Sequence, residues 1–189
     1  MAVRPVPSRG PDYAAEVHED PEPARERAVA VVRSVLVELD LPWRESGPGL
    51  FSVSLPGTHK LLTECALEVG RYGVGIRAFV ARQPDENHVA VYRWLLQRNL
   101  KLRTVCFSLD ATGDVYLTGT LALPAVTEVS IDQVLGEVGG TADSCFNPIL
   151  ELGFASSITR EWAWRRARGE STANLAAFAH LAPRDDAAP

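Results

Sequence analysis

The strongest constraint on how this chain can fold is a change of hydrophobic period near residue 50. In LFSVSL (50–55), Phe51, Val53 and Leu55 alternate with Leu50, Ser52 and Ser54. In KLLTECALEV (60–69), Cys65, Leu67 and Val69 oppose Glu64, Ala66 and Glu68. VGIRAFVA (74–81) is a third run of the same kind. A period of two places alternate side chains on opposite faces of a strand, and the runs are separated by turn sequences, Pro56-Gly57 and GRYG (70–73). Three short strands in hairpin succession are expected.

On either side the period is helical. Asp20 followed by Pro21 is a helix start, a capping side chain with a proline at the first helical position. Ala28, Val32, Val35, Leu36 and Leu39 then recur at helical spacing, giving an amphipathic helix to about Asp40. A second helix is expected in PDENHVAVYRWLLQRNLK (84–101), with Asp85 as its N-cap and Asn99 as its C-cap. TVCFSL (104–109) and DVYLTGTLAL (114–123) read as two further strands joined by the turn DATG, and Val115, Leu117, Leu121 and Leu123 share one face. After Pro124, Ser130 with Gln133 resembles a capping box, and Ile131, Val134, Leu135 and Val138 form a stripe. Gly139-Gly140 is expected to interrupt this helix and Asn147-Pro148 to kink or restart it. Ser157 is placed to cap a last segment, ITREWAWRRAR (158–168).

The resulting order, α-β-β-β-α-β-β-α, defines an α+β domain: a five-stranded antiparallel sheet with helices packed mainly on one face. Residues 1–19 are expected to be a flexible N-terminal tail and residues 20–169 a single domain. Residues 170–189 are expected to form a C-terminal tail with a short docked helix on Leu175, Phe178 and Leu181.

Composition narrows the class. With 189 residues, 46% of them hydrophobic, the chain suits one domain with a sizeable core. A net charge of -5 is the wrong balance for a general nucleic-acid binder. Three widely spaced cysteines, Cys65, Cys106 and Cys145, make neither a disulfide framework nor a zinc set. The N-terminus carries no apolar leader, and no stretch reaches the ~20 apolar residues of a membrane span. A soluble, cytoplasmic protein is expected.

PDENH (84–88) holds the densest set of chemically able side chains. Adjacent residues on a helix diverge by ~100° and next-nearest ones by ~200°, so Asp85, Glu86 and His88 do not converge on one ion. The acids suit the positive end of a helix dipole instead, and His88 falls toward the apolar face with Val91, Tyr92 and Leu95 as a partly buried histidine. No metal and no cofactor is expected. Cys106 sits mid-strand without a partner motif and reads as an inert thiol. There is no GxSxG, P-loop or HExxH, and the GxG at 73–75 does not open a helix.

Trp94 is harder to place in the core, because it falls ~150° from the centre of the expected stripe of Val89, Tyr92, Leu95 and Leu96. With Arg93 and Arg98 beside it, it has the composition of an interface hot spot. TREWAWRRARG (159–169) gathers Arg160, Arg165, Arg166 and Arg168 around Trp162 and Trp164. A solvated amphipathic helix with Trp162 docked is expected there, with an anionic-partner or nucleic-acid surface as the alternative.

The run FVARQPDENHVAVYRWLLQRNLKL (79–102), followed by CFSLDATGDVYLTGTL (106–121), resembles the YbjN family of bacterial sensory transduction regulators. The resemblance covers about residues 22–168. It implies the type III secretion chaperone-like fold, no known catalytic centre, dimerisation, and binding of other proteins or peptides. The expected function is therefore a non-catalytic protein- or peptide-binding module, a dimeric regulator or chaperone-like adaptor. Its partner surface would carry Ala90, Arg93, Trp94, Arg98 and Trp164. The alternatives are a small-ligand binder or enzyme using a site near His88, and weak nucleic-acid binding through residues 160–168.

Overall fold

The structure, a computed structural model, describes residues 21–183. The flexible tail expected over residues 1–19 and the Asp20 cap lie outside that range. The elements run α1 (Pro21–Glu38), β1 (Trp43–Gly47), β2 (Leu50–Pro56), β3 (Leu62–Val69), β4 (Gly73–Ala81) and α2 (His88–Asn99). β5 (Val105–Leu109), β6 (Val115–Ala122), α3 (Glu128–Gly153), α4 (Ala155–Arg168) and a 3-10 helix (Ala173–Leu181) follow. The strands form one antiparallel sheet in the order β1-β2-β3-β4-β6-β5.

The sheet has six strands where five were expected. The additional one, β1, is short and mostly polar, WRESG, so its own sequence carries little alternation. It is held by its partner: Trp43 pairs with Val53, and the Trp43 ring lies 6.0 Å from that of Phe51.

The alternation of β2 and β3 is realised directly. Phe51, Val53, Leu55, Cys65, Leu67 and Val69 are buried. α1 and α3 pack on that face, bringing Val32 and Leu36 from one helix and Ile131, Val138 and Ile149 from the other into the core. The opposite face stays polar. Ser54 donates to Glu64 at 2.6 Å, and the Arg77 guanidinium lies 4.2 Å over the Tyr116 ring.

α3 is one continuous helix of 26 residues, which corrects the expected break at Gly139-Gly140 and restart at Pro148. In a helix interior two glycines cost about 2 kcal/mol together and a proline about 3. Against this, Ile131, Val134, Leu135, Val138 and Ile149 are all buried along one stripe that passes both breakers. Each contributes about 1.5–3 kcal/mol, so burial outweighs local propensity. The N-terminal cap also differs: Thr127 is the N-cap and exchanges hydrogen bonds with Ser130.

Two ladders of unequal length shape one end of the sheet. β3 pairs with β4 only as far as Cys65 opposite Ala78, whereas β4 pairs with β6 to Ala81 opposite Val115. The register shifts between Phe79 and Ala81, and Val80 and Ala81 are consecutive buried residues. The end of β4 thus separates from β3.

Candidate functional site

The loop between β2 and β3 is fastened to α3 at this separated end. One carboxylate oxygen of Asp143 accepts the backbone N–H groups of Thr58, His59 and Lys60 at 2.8, 2.6 and 2.9 Å. The other lies 3.2 Å from the His59 ring. Removal from water works to raise the Asp143 pKa, but the Lys60, His59 and Thr58 amides and the His59 ring together hold it below its ordinary value. Gly57 is required here, because a Cβ would stand 2.4 Å from the Lys60 carbonyl oxygen and 2.6 Å from Asp143.

This loop delivers Lys60 into a cleft of about 520 Å³. Its walls are apolar: Phe79 from β4, Phe146 and Leu150 from α3, Ile158 from α4 and Leu175 from the 3-10 helix. The Lys60 amine donates to the Val80 carbonyl at 3.1 Å and lies 5.1 Å from the Phe79 ring and 5.3 Å from the Phe146 ring. Partial burial pushes the amine's pKa down. Two other charges reach the cleft and both are matched. Arg82 pairs with Asp85 at 2.6 Å, and Glu161 pairs with Arg165 at 2.6 Å. Among the described residues no carboxylate stands within ion-pair distance of Lys60.

The PDENH stretch forms a clamp rather than the first turn of α2. α2 begins at His88, and its N-cap is Asn87 in the left-handed conformation (φ 53). Asp85, expected as the cap, and Glu86 both precede the helix. The backbone N–H groups of both residues donate to the Gly153 carbonyl, and the Asn87 amide donates to the Leu152 carbonyl at 3.1 Å. Glu86 accepts the Ser156 N–H at 2.7 Å and its hydroxyl at 2.8 Å, and Asp85 accepts the Ser157 hydroxyl at 2.7 Å. The acids therefore face the first turn of α4, not that of α2. Ser157, expected to cap its own helix, spends its hydroxyl on Asp85, and Phe154 stands at the α4 N-cap.

The Arg82 and Ser157 hydrogen bonds hold the Asp85 carboxyl down at about 2, and the Ser156 bonds lower that of Glu86. His88 is exposed rather than partly buried, in edge contact with Tyr92 at 6.0 Å, because the segment before it is drawn away to the α3–α4 corner. Among the described residues no group of three His, Cys, Asp or Glu side chains is placed to hold a metal ion.

The face of α2 toward the protein is Val91 and Leu95, which corrects the stripe read from sequence. Val89 and Leu96, expected inside, are 73% and 66% exposed. Trp94 is half-buried against the core with the Arg98 guanidinium 4.8 Å over its ring, so it does not lie on the outer face. The expected partner residues split accordingly. Ala90 and Arg93 face solvent, Trp94 and Arg98 turn inward, and Trp164 stands on α4 beneath Arg168 at 4.5 Å.

Asn99 ends α2 without taking a left-handed cap conformation; Leu100, at φ -62, is the C-cap. The Asn99 side chain instead accepts the Phe107 N–H at 2.7 Å and donates to the Phe107 carbonyl at 3.3 Å. In α4, Trp162 is buried and Trp164 is 43% exposed. The arginines there have local duties: Arg165 binds Glu161 and the Ser171 carbonyl, Arg166 the Pro183 carbonyl, and Arg160 the Ser157 hydroxyl.

Sequence reasoning missed Lys60 and its cleft. The only signal was that Lys60 is one of two lysines in a chain of 19 Lys and Arg residues. Phe146 lies 86 positions away, and no local pattern links the two.

A six-stranded antiparallel sheet, helices on one face, and an apolar cleft at its splayed end define a small α+β domain. The chain belongs to the YbjN family, described as "Putative bacterial sensory transduction regulator", which matches residues 28–151. It is 54% identical over 136 residues to uncharacterized protein Rv0487 of Mycobacterium tuberculosis, covering 72% of this chain and 74% of that one. It is 53% identical over 129 residues to uncharacterized protein ML2442 of Mycobacterium leprae, covering 68% and 70%. No helix among the described residues is long and apolar enough to cross a membrane.

Proposed function

We propose that the chain is a cytoplasmic regulatory module that acts by binding another polypeptide, first of all a second copy of itself, and not by turnover. The observation that carries this reading is the outer face of α2. Val89, Arg93, Leu96 and Leu100 fall within ~60° of one another on ideal helical steps. Val89, Leu96 and Leu100 are 73%, 66% and 88% exposed. Single exposed leucines need no explanation, but an aligned apolar stripe opposite a helix's buried face suits a contact surface. Two such helices related by a two-fold axis would bury the stripe reciprocally, each Leu96 meeting its counterpart's helix. Dimerisation also fits the type III secretion chaperone-like fold that the sequence resembles. Trp94 and Arg98 serve this surface from beneath, by fixing how α2 sits, and Ala90 and Arg93 border it.

The test is the solution mass of the full chain by light scattering. A dimer that becomes a folded monomer on Leu96→Asp supports the reading. A wild-type monomer at all accessible concentrations, with no partner displaced by the substitution, overturns it.

A further inference from the structure

The cleft at the end of β4 lies apart from the α2 stripe and carries a separate conclusion. An ammonium group in apolar surroundings is poorly solvated, and an opposite charge brought to it recovers much of the lost interaction. Lys60 is in that position. Its amine has one carbonyl partner and two flanking rings, while the other charges at the cleft, Arg82 and Glu161, are already paired. The volume, about 520 Å³, lies in the range of small-molecule sites, roughly 300–1,000 Å³.

We infer that this cleft binds a small monocarboxylate with an apolar body, its carboxylate on Lys60 and its body between Phe79, Phe146 and Leu175. One uncommitted cation sets the charge at one. A second carboxylate would have to lie against the apolar wall or beside Glu161, which would repel it. The body is not restricted to one shape, because phenyl and branched aliphatic walls accept an alkyl chain or a fused ring system alike. The site adds a ligand to the proposed binding module without depending on dimerisation. The cleft and α2 share a support: Arg82 and Ser157 line the cleft, and both hold Asp85, just ahead of α2.

The experiment is titration calorimetry on the full chain with decanoate, decan-1-ol and decanedioate, and with naphthalene-2-carboxylate as the aromatic arm. Saturable 1:1 binding of at least one monocarboxylate is expected. For the aliphatic body, decan-1-ol and decanedioate should bind at least tenfold more weakly than decanoate. Lys60→Met keeps the side-chain stem and removes the charge. It should weaken the monocarboxylate at least tenfold while leaving decan-1-ol within about twofold, and Lys101→Met should change neither. Absence of saturable binding by both monocarboxylates overturns the inference. So does equal affinity for decanoate and decan-1-ol, a comparison made on the wild-type chain and independent of whether Lys60→Met folds.

Discussion

Glu86 holds Ser156 by both of its donors, the backbone N–H at 2.7 Å and the hydroxyl at 2.8 Å, across 70 positions of sequence. The side chain that precedes one helix thereby satisfies a backbone N–H in the first turn of another. Beside it, Asp85 accepts the Ser157 hydroxyl at 2.7 Å. Together they fix the corner at which α3 becomes α4, and α4 supplies a wall of the cleft.

This clamp gives a pH dependence of definite sign. Both folded-state carboxyls titrate below their ordinary values, Asp85 at about 2. Their contribution is therefore complete above the unfolded carboxylate range, near pH 4. It is lost as the pH falls through the lowered folded values. Protection of the Ser156 amide, its exchange measured against the intrinsic rate at each pH, should fall below about pH 4 as Glu86 takes up a proton. Glu86→Ala, which removes the acceptor, should lower that protection at neutral pH, and unchanged protection in that variant would contradict the clamp.

Gly57→Ala should destabilise the fold by about 1–3 kcal/mol, the usual cost of forcing atoms into a packed site. The new Cβ would meet the Lys60 carbonyl and Asp143 at 2.4 and 2.6 Å, and neither is free to leave without breaking the loop's hydrogen bonds. Chemical denaturation measures the loss. A stability equal to wild type would show that the loop is not held as described.

Asn99→Leu should cost about 1–3 kcal/mol by leaving the Phe107 N–H and carbonyl without their partner. The residue is half-buried, so water replaces the side chain only in part. Asn99→Asp should be milder at the N–H and worse at the carbonyl, since a carboxylate accepts but does not donate. Equal stabilities for all three chains by denaturant titration would argue against a bridging role.

The three thiols should separate cleanly by reactivity. Burial, with help from the Glu64 charge, pushes the Cys65 thiol up to about 12, and burial also raises that of Cys145. Cys106 is exposed. At pH 8 an aromatic disulfide reagent should label Cys106 rapidly, and the other two only on unfolding. Rapid native labelling of more than one thiol would be inconsistent with this core.

The parts of the fold that were legible are those where burial follows local period. Phe51, Val53, Leu55, Cys65, Leu67 and Val69 alternate in sequence and are buried in space, so β2 and β3 were readable. β1 was not, since Trp43–Gly47 becomes a strand through its partner and not through its own pattern. In α3, Gly139, Gly140 and Pro148 are real local penalties, and only the long-range stripe on the sheet overrides them. α2 was correct as a helix but rotated. Placing its start at Asp85 gave the acids to the wrong helix, and the stripe drawn through Val89 and Leu96 faced the wrong way. The family resemblance was carried by the same stretch and did not depend on that rotation. Lys60, Phe79 and Phe146 meet through tertiary structure alone, and no spacing rule anticipates such a meeting.

Asn99 also bears on what the sheet can join. β5 is a terminal strand, and the Phe107 N–H and carbonyl face away from β6. A neighbouring strand would use those two groups to begin its ladder, and the Asn99 amide has already taken both, as a one-residue imitation of that neighbour. Extension of the sheet by another chain is thus obstructed at the β5 rim. A peptide seeking backbone pairing with this protein would be directed to the far rim, along β1.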